Sequence, residues 1–134
     1  MRVALPPEQA LRMFTPSGER AWAGDWEPQF PCTRTPETEP GTVFVTDHAG
    51  SRSIWTVVRY ETSHAIQYAT VIPDERAGLV TVTCQASGEG TEATVSYELT
   101  ALSPGANGHL EHFAARFGSL LSHWEVAIAS SMDG

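Results

Sequence analysis

The sequence predicts an α+β domain: a curved antiparallel sheet of six to seven strands wrapped around a long C-terminal helix, with two short helices after the first strand. Two observations carry this. From Gly41 onward, successive segments rich in Val, Ile, Thr, Tyr and Trp alternate with short turn-forming connections, the signature of an antiparallel meander. A long proline-free stretch follows, with apolar residues at helical spacing.

Taken in order, Arg2–Leu5 reads as a short strand broken by Pro6 and Pro7. Glu8–Phe14 reads as a short helix with Leu11 and Phe14 on one face. Thr15 and Pro16 form a helix start, N-cap then first position, for a second short helix over Glu19–Ala23 that stops at Gly24. Between Trp26 and Gly41 lie Pro28, Pro31, Pro36 and Pro40, an extended connection with room for a little edge strand. Strands are expected at Thr42–Thr46, Ser53–Glu61, Ala65–Ile72, Leu79–Ala86 and Thr91–Leu102. The connections His48-Ala49-Gly50, Thr62-Ser63, Pro73–Gly78 and Ser87–Gly90 are short enough for hairpins.

The last two strands alternate most clearly. Val80, Val82 and Cys84 oppose Thr81, Thr83 and Gln85, and Ala93, Val95, Tyr97 and Leu99 oppose Thr94, Ser96, Glu98 and Thr100. Such a sheet is covered on one face only. The cover is a helix from His109 to about Ser130, with Leu110, Phe113, Phe117, Leu120 or Leu121, Trp124 and Ala127 or Ile128 on its apolar face. A helix of about six turns spans roughly 30 Å, enough to cross several strands.

The chain has 134 residues, which suits one domain over 1–134 with a sizeable core. Its formal net charge is −8, so phosphate neutralisation, nucleic acid as a partner and anionic membrane surfaces are all disfavoured. No basic run leading into an apolar run opens the chain, and no stretch reaches membrane-spanning length. Neither a secretory signal nor membrane insertion is therefore expected. Cys32 and Cys84 are too few for a disulfide framework, so the cytoplasm is the expected location.

A long helix touches a curved sheet along only part of its length, and pockets form at such junctions. Trp55, Tyr68 and Tyr97 from strands, with Phe113, Phe117 and Trp124 from the helix, are placed to line that space. The competing expectation is a solid aromatic core.

Several segments carry a family resemblance. They are Phe14-Thr15-Pro16-Ser17-Gly18-Glu19-Arg20 with Trp22 and Trp26-Glu27-Pro28, then Gly41–Thr46, Trp55–Tyr60 and Val95–Leu102. Together they resemble bacterial members of the START/polyketide-cyclase/pollen-allergen superfamily, the helix-grip or SRPBCC domains. The resemblance spans nearly the whole chain, through diffuse structural motifs that point to fold more than chemistry. It implies a deep cavity for lipids, sterols, polyketides or other hydrophobic molecules, with aromatase/cyclase activity in some members. The first strand of such domains is usually longer than Met1–Leu5, which leaves one sheet edge short. The cone-shaped NTF2-like domains compete, but they usually finish on a strand.

Among the polar residues, Arg59 shares the parity of Trp55 and Val57. Facing inward, it would bind a ligand carboxylate or polarise a carbonyl; facing outward, it would pair with Glu61 or Glu98. Tyr68 and Tyr97 would donate to a ligand oxygen, act as general acids, or be core tyrosines with wet hydroxyls. His109 and His112 have metal-ligand spacing but no evident third ligand, His123 lying about three turns on, so no metal and no cofactor are expected. Asp47, His48, Ser51 and Ser53 lack the pattern of a nucleophile elbow. Gly88-Glu89-Gly90 lacks the helix and third glycine of a phosphate loop. Cys84, on an apolar strand face, reads as a small hydrophobe.

The expected function is binding of a small hydrophobic or amphipathic ligand (lipid, polyketide or aromatic). Trp55, Tyr68, Tyr97, Phe113, Phe117 and Trp124 form the walls, and Arg59 is the polar anchor. Two alternatives stand beside it: a polyketide cyclase/aromatase-type enzyme, and a protein-interaction or dimerisation module with a filled core. A homodimer is compatible with the sequence.

Overall fold

The structure is a computed structural model that describes residues 1–32, 36–48 and 50–133. Its elements are β1 (Arg2–Val3), α1 (Pro7–Arg12), a 3-10 turn (Gly18–Ala21), β2 (Val43–His48), β3 (Ser51–Glu61), β4 (Ala65–Ile72), β5 (Arg76–Ser87), β6 (Gly90–Ala101) and α2 (Ala106–Asp133). The strands form one six-stranded antiparallel sheet in the order β1-β6-β5-β4-β3-β2. The meander is as the sequence predicts, and the short first strand closes against the last. The architecture is the helix-grip fold. Among the described residues no helix is long and apolar enough to cross a membrane.

Boundaries differ from expectation in informative places. The second short helix is a single 3-10 turn, because Thr15 serves the end of α1 as well as the start of the turn. Its hydroxyl donates to the Arg12 carbonyl at 2.8 Å and accepts from the Gly18 N–H at 3.1 Å. A Cβ at Gly18 would collide with the Arg12 carbonyl oxygen, so only glycine lets the two pieces meet this closely. β5 starts at Arg76, three residues before the expected Leu79, and the expected hairpin loop Pro73–Gly78 shrinks accordingly. Among the described residues, the edge strand expected between Trp26 and Gly41 is one bridge, Gln29 to Val45, held by two N–H···O bonds of 2.9 Å. Residues 33–35 of that connection, and Ala49 of the β2–β3 loop, lie outside the described residues.

Register explains the inner face. Val57 pairs with Tyr68, Tyr68 with Val80 and Val80 with Tyr97, one row across four strands. Ile66, Val82 and Val95 form the next row. The outer face carries hydroxyls and amides, as in the Gln67–Thr81 hydrogen bond of 3.0 Å. Phe14, Leu11, Phe44, Ile66, Val57 and Ile128 are fully buried, each stabilising the fold by about 1.5–3 kcal/mol.

One irregularity corrects a sequence-based expectation. On β3 the pairing skips from Val57–Tyr68 to Arg59–Gln67, leaving Val58 as a β-bulge. An extra residue reverses the in–out alternation beyond it. Tyr60 therefore turns inward, while Arg59 turns outward beside Gln67. Arg59 is half exposed and lies 3.8 Å from a carboxylate oxygen of Glu61. The parity shared with Trp55 and Val57 does not survive the bulge.

α2 runs 28 residues, about 42 Å at 1.5 Å per residue. Its C-terminal half is firmly seated. Ile128 is buried, the Trp124 and Trp22 rings meet edge to face at 5.4 Å, and the Arg2 backbone N–H donates to Glu125 at 2.8 Å. Its N-terminal half rests on Tyr97, whose ring lies 5.2 Å from Phe113 and 5.6 Å from Phe117. Contact is thus concentrated along the β1–β6 side of the sheet. Towards β2–β4 the helix stands away.

Candidate functional site: a cavity between sheet and helix

The space left by that one-sided seating is a cavity of about 950 Å³. A solid aromatic core, the competing expectation, is not what the chain forms. All four tryptophans of the sequence line the cavity: Trp22 and Trp26 from the 3-10 turn and the connection after it, Trp55 from β3, and Trp124 from α2. Three of these indoles are held in place by hydrogen bonds. Trp22 Nε1 donates to the Met13 carbonyl and Trp26 Nε1 to the Pro16 carbonyl, each at 2.8 Å. Trp55 Nε1 donates to Thr46 Oγ1 at 3.0 Å. Their rings also brace one another: Trp26 meets Trp55 edge to face at 5.6 Å, and Trp55 stacks on Phe44 at 6.0 Å. The walls are therefore rigid aromatic surface.

Of the residues singled out in the sequence, Trp55, Tyr68, Tyr97, Phe113 and Trp124 line this cavity. Phe117 lines a smaller neighbouring cavity of about 400 Å³, shared with Tyr97 and Phe113. Arg59, turned outward by the bulge, belongs to neither. The inward position expected for Arg59 from its parity is therefore not the one it takes.

Arg76 shares the inward parity of Val80, Val82 and Cys84, visible once β5 is known to begin at residue 76. It lines the cavity, with its guanidinium carbon 5.3 Å from the Phe113 ring centroid. That distance places the cation over an aromatic face. Glu19, on the 3-10 turn, also lines the cavity. Burial pushes its carboxyl well above the usual carboxylate range, favouring the protonated form. Nothing in the sequence marks it, because no motif or periodicity sets Glu19 apart from the other acids.

The two phenols differ. Tyr68 donates its hydroxyl to the Phe14 carbonyl at 2.7 Å. Burial, and then the negative charge of Glu19 and Glu37, push this phenol well up. Its donor is committed to holding the α1 end against the sheet. Tyr97 is likewise pushed up by burial and then by Glu19, with Arg76 acting in the opposite sense. Neither tyrosine supplies a phenolate.

Polar groups collect at the mouth. Four of the five histidines, His48, His109, His112 and His123, line it. Asp25 and His48, both in the lining, pair at 2.9 Å and are strongly exposed. Among the described residues no three His, Cys, Asp or Glu side chains are grouped to hold a metal ion. Cys32 is exposed and Cys84 buried, both as free thiols.

Comparison with known proteins agrees with this geometry. The family described as "Polyketide cyclase / dehydrase and lipid transport" matches residues 1–122. The fold is similar to that of an uncharacterised protein from Rhizobium leguminosarum, with 16% identity, 97% of this chain and 91% of that one covered, and a TM-score of 0.66. It is similar to CalU16 from Micromonospora echinospora, with 16% identity, 93% and 68% coverage and a TM-score of 0.64. It is also similar to DynU16, a protein in the dynemicin biosynthetic locus, with 16% identity, 93% and 44% coverage and a TM-score of 0.64. At such identities the likeness shows the fold alone. No curated protein matches the sequence.

Proposed function

Because the chain belongs to the polyketide cyclase / dehydrase and lipid transport family, we propose that residues 1–134 act as one unit that binds a small hydrophobic or amphipathic molecule between the sheet and α2. The observation that carries this is the cavity itself. Its volume of about 950 Å³ lies at the upper end of the range of small-molecule sites, roughly 300–1,000 Å³. Its depth is indole and phenol surface, and its mouth is polar. An apolar void forfeits dispersion contacts that a guest restores, and a guest that fills it removes apolar surface from water at about 25 cal/mol per Å². Hydrogen-bonded, mutually packed indoles are pre-organised, so little ordering opposes binding.

Native mass spectrometry of the purified protein tests this reading, with an apolar fluorophore such as anilinonaphthalene sulfonate as a second probe. The expected results are a co-purifying small molecule, or enhanced fluorophore emission that a competing apolar molecule reverses. A bare protein mass together with no emission change would overturn it.

One observation favours a second reading, a polyketide cyclase-type enzyme. Glu19 is an acid held towards its protonated form in an apolar cavity, the state a general acid needs to protonate a carbonyl oxygen. The fold likeness to a protein of the dynemicin biosynthetic locus points the same way. With a poly-ketone substrate, Glu19→Gln would keep substrate affinity and lose turnover. No turnover by the unaltered chain leaves the binding reading alone.

A further inference from the structure

We propose that Arg76 anchors an anionic head group, so that the molecule taken by the cavity is an apolar carboxylate. This inference deepens the binding reading and rests on it. Three observations carry it. Arg76 Nε is buried and has no hydrogen-bond partner among the described residues. No carboxylate among the described residues lies within ion-pairing distance of its guanidinium. The side chain lines the cavity with its guanidinium over the Phe113 ring.

A buried N–H without an acceptor is costly, and more so on a charged group. Folding a cation inward, over an aromatic face, leaves that cost in place unless a guest meets it. The Nε edge of a guanidinium is one side of its fork, and a carboxylate binds such an edge with two parallel hydrogen bonds. The contact with Phe113, 5.3 Å from guanidinium carbon to ring centroid, restrains the side chain and reduces what is lost on binding.

The surroundings select among anions. Glu19, Asp25, Asp47 and Glu75 line the same cavity, and the chain carries a net charge of −8. A doubly charged phosphate would meet that field twice over, whereas a single carboxylate meets it once and is matched by the arginine. Burial raises the hold of the Glu19 carboxyl on its proton, so the cavity disfavours its charged form. The aromatic depth takes the rest of the molecule.

Dodecanoate and methyl dodecanoate share an apolar tail and a carbonyl, and differ in charge. Titration of each, followed by quenching or shift of tryptophan emission, reads binding directly because every tryptophan lines the cavity. The unaltered protein should bind dodecanoate roughly tenfold more tightly than the ester. Arg76→Gln should bind both with the affinity of the ester. Equal affinity of the unaltered protein for the two, or a preference that survives in Arg76→Gln, would overturn the anchor and leave the cavity's binding role standing. Binding of neither probe would remove the anchor and the binding reading together. The comparison in the unaltered protein decides the matter even if the variant fails to fold.

Discussion

At Tyr68 a polar group in the core does structural duty. Its hydroxyl gives the Phe14 carbonyl a partner at 2.7 Å, so Tyr68→Phe should destabilise by about 1–3 kcal/mol, the cost of leaving a buried carbonyl unpaired. Urea denaturation would measure this, and an unchanged midpoint would contradict it. Ligand affinity should change little, since the donor was never free. Glu19 yields the opposite kind of prediction. Its folded carboxyl holds a proton more tightly than an unfolded one, which ionises near about pH 4.3. Above that pH the unfolded state releases its proton first, so stability falls as pH rises until the folded carboxyl ionises too. Glu19→Gln removes this slope. The variant's melting temperature should match the unaltered protein's near about pH 4 and exceed it increasingly towards neutrality. A difference that does not vary with pH would show that Glu19 is solvated.

Elements were more legible than the residues that depend on their edges. The alternation of Val80, Val82 and Cys84 with Thr81 and Thr83 identified β5 and its inner face correctly. Yet Arg76, three residues before the expected start at Leu79, falls in a stretch that reads as loop, because Pro73 and Gly78 look like turn residues. The parity of Arg59 misleads because a bulge leaves no mark in a run such as Thr56-Val57-Val58-Arg59-Tyr60; it is set by pairing with β4. Glu19 goes unmarked for a related reason: its burial arises from tertiary packing, and composition does not show which acid a fold encloses. The helix was predicted with its apolar face right, but not that only one half is firmly seated. That asymmetry is testable. Ile128→Ala, in the seated half, should cost about 2–5 kcal/mol. Leu110→Ala already faces the cavity and should cost less than half as much. Equal losses would mean that α2 packs uniformly along its length.

For the whole molecule, the sheet supplies a rigid inner wall, the segment after α1 supplies two indoles, and α2 closes the third side from one edge. The hollow follows from that division of labour. A helix seated against β6 at Tyr97 and near β1 at Glu125 cannot also lie flat on β2–β4. The cavity thus belongs to the architecture, while its occupant is set by the few charged groups turned into it. The most direct test of the binding account is a ¹H–¹⁵N correlation spectrum of the four indole N–H groups during addition of dodecanoate. Three of these indoles donate to Met13, Pro16 and Thr46, so their signals should be sharp and dispersed in the free protein. Occupation of the cavity predicts saturable shifts of all four signals together. Indole signals that stay fixed while surface amides move would place the guest elsewhere and contradict the account.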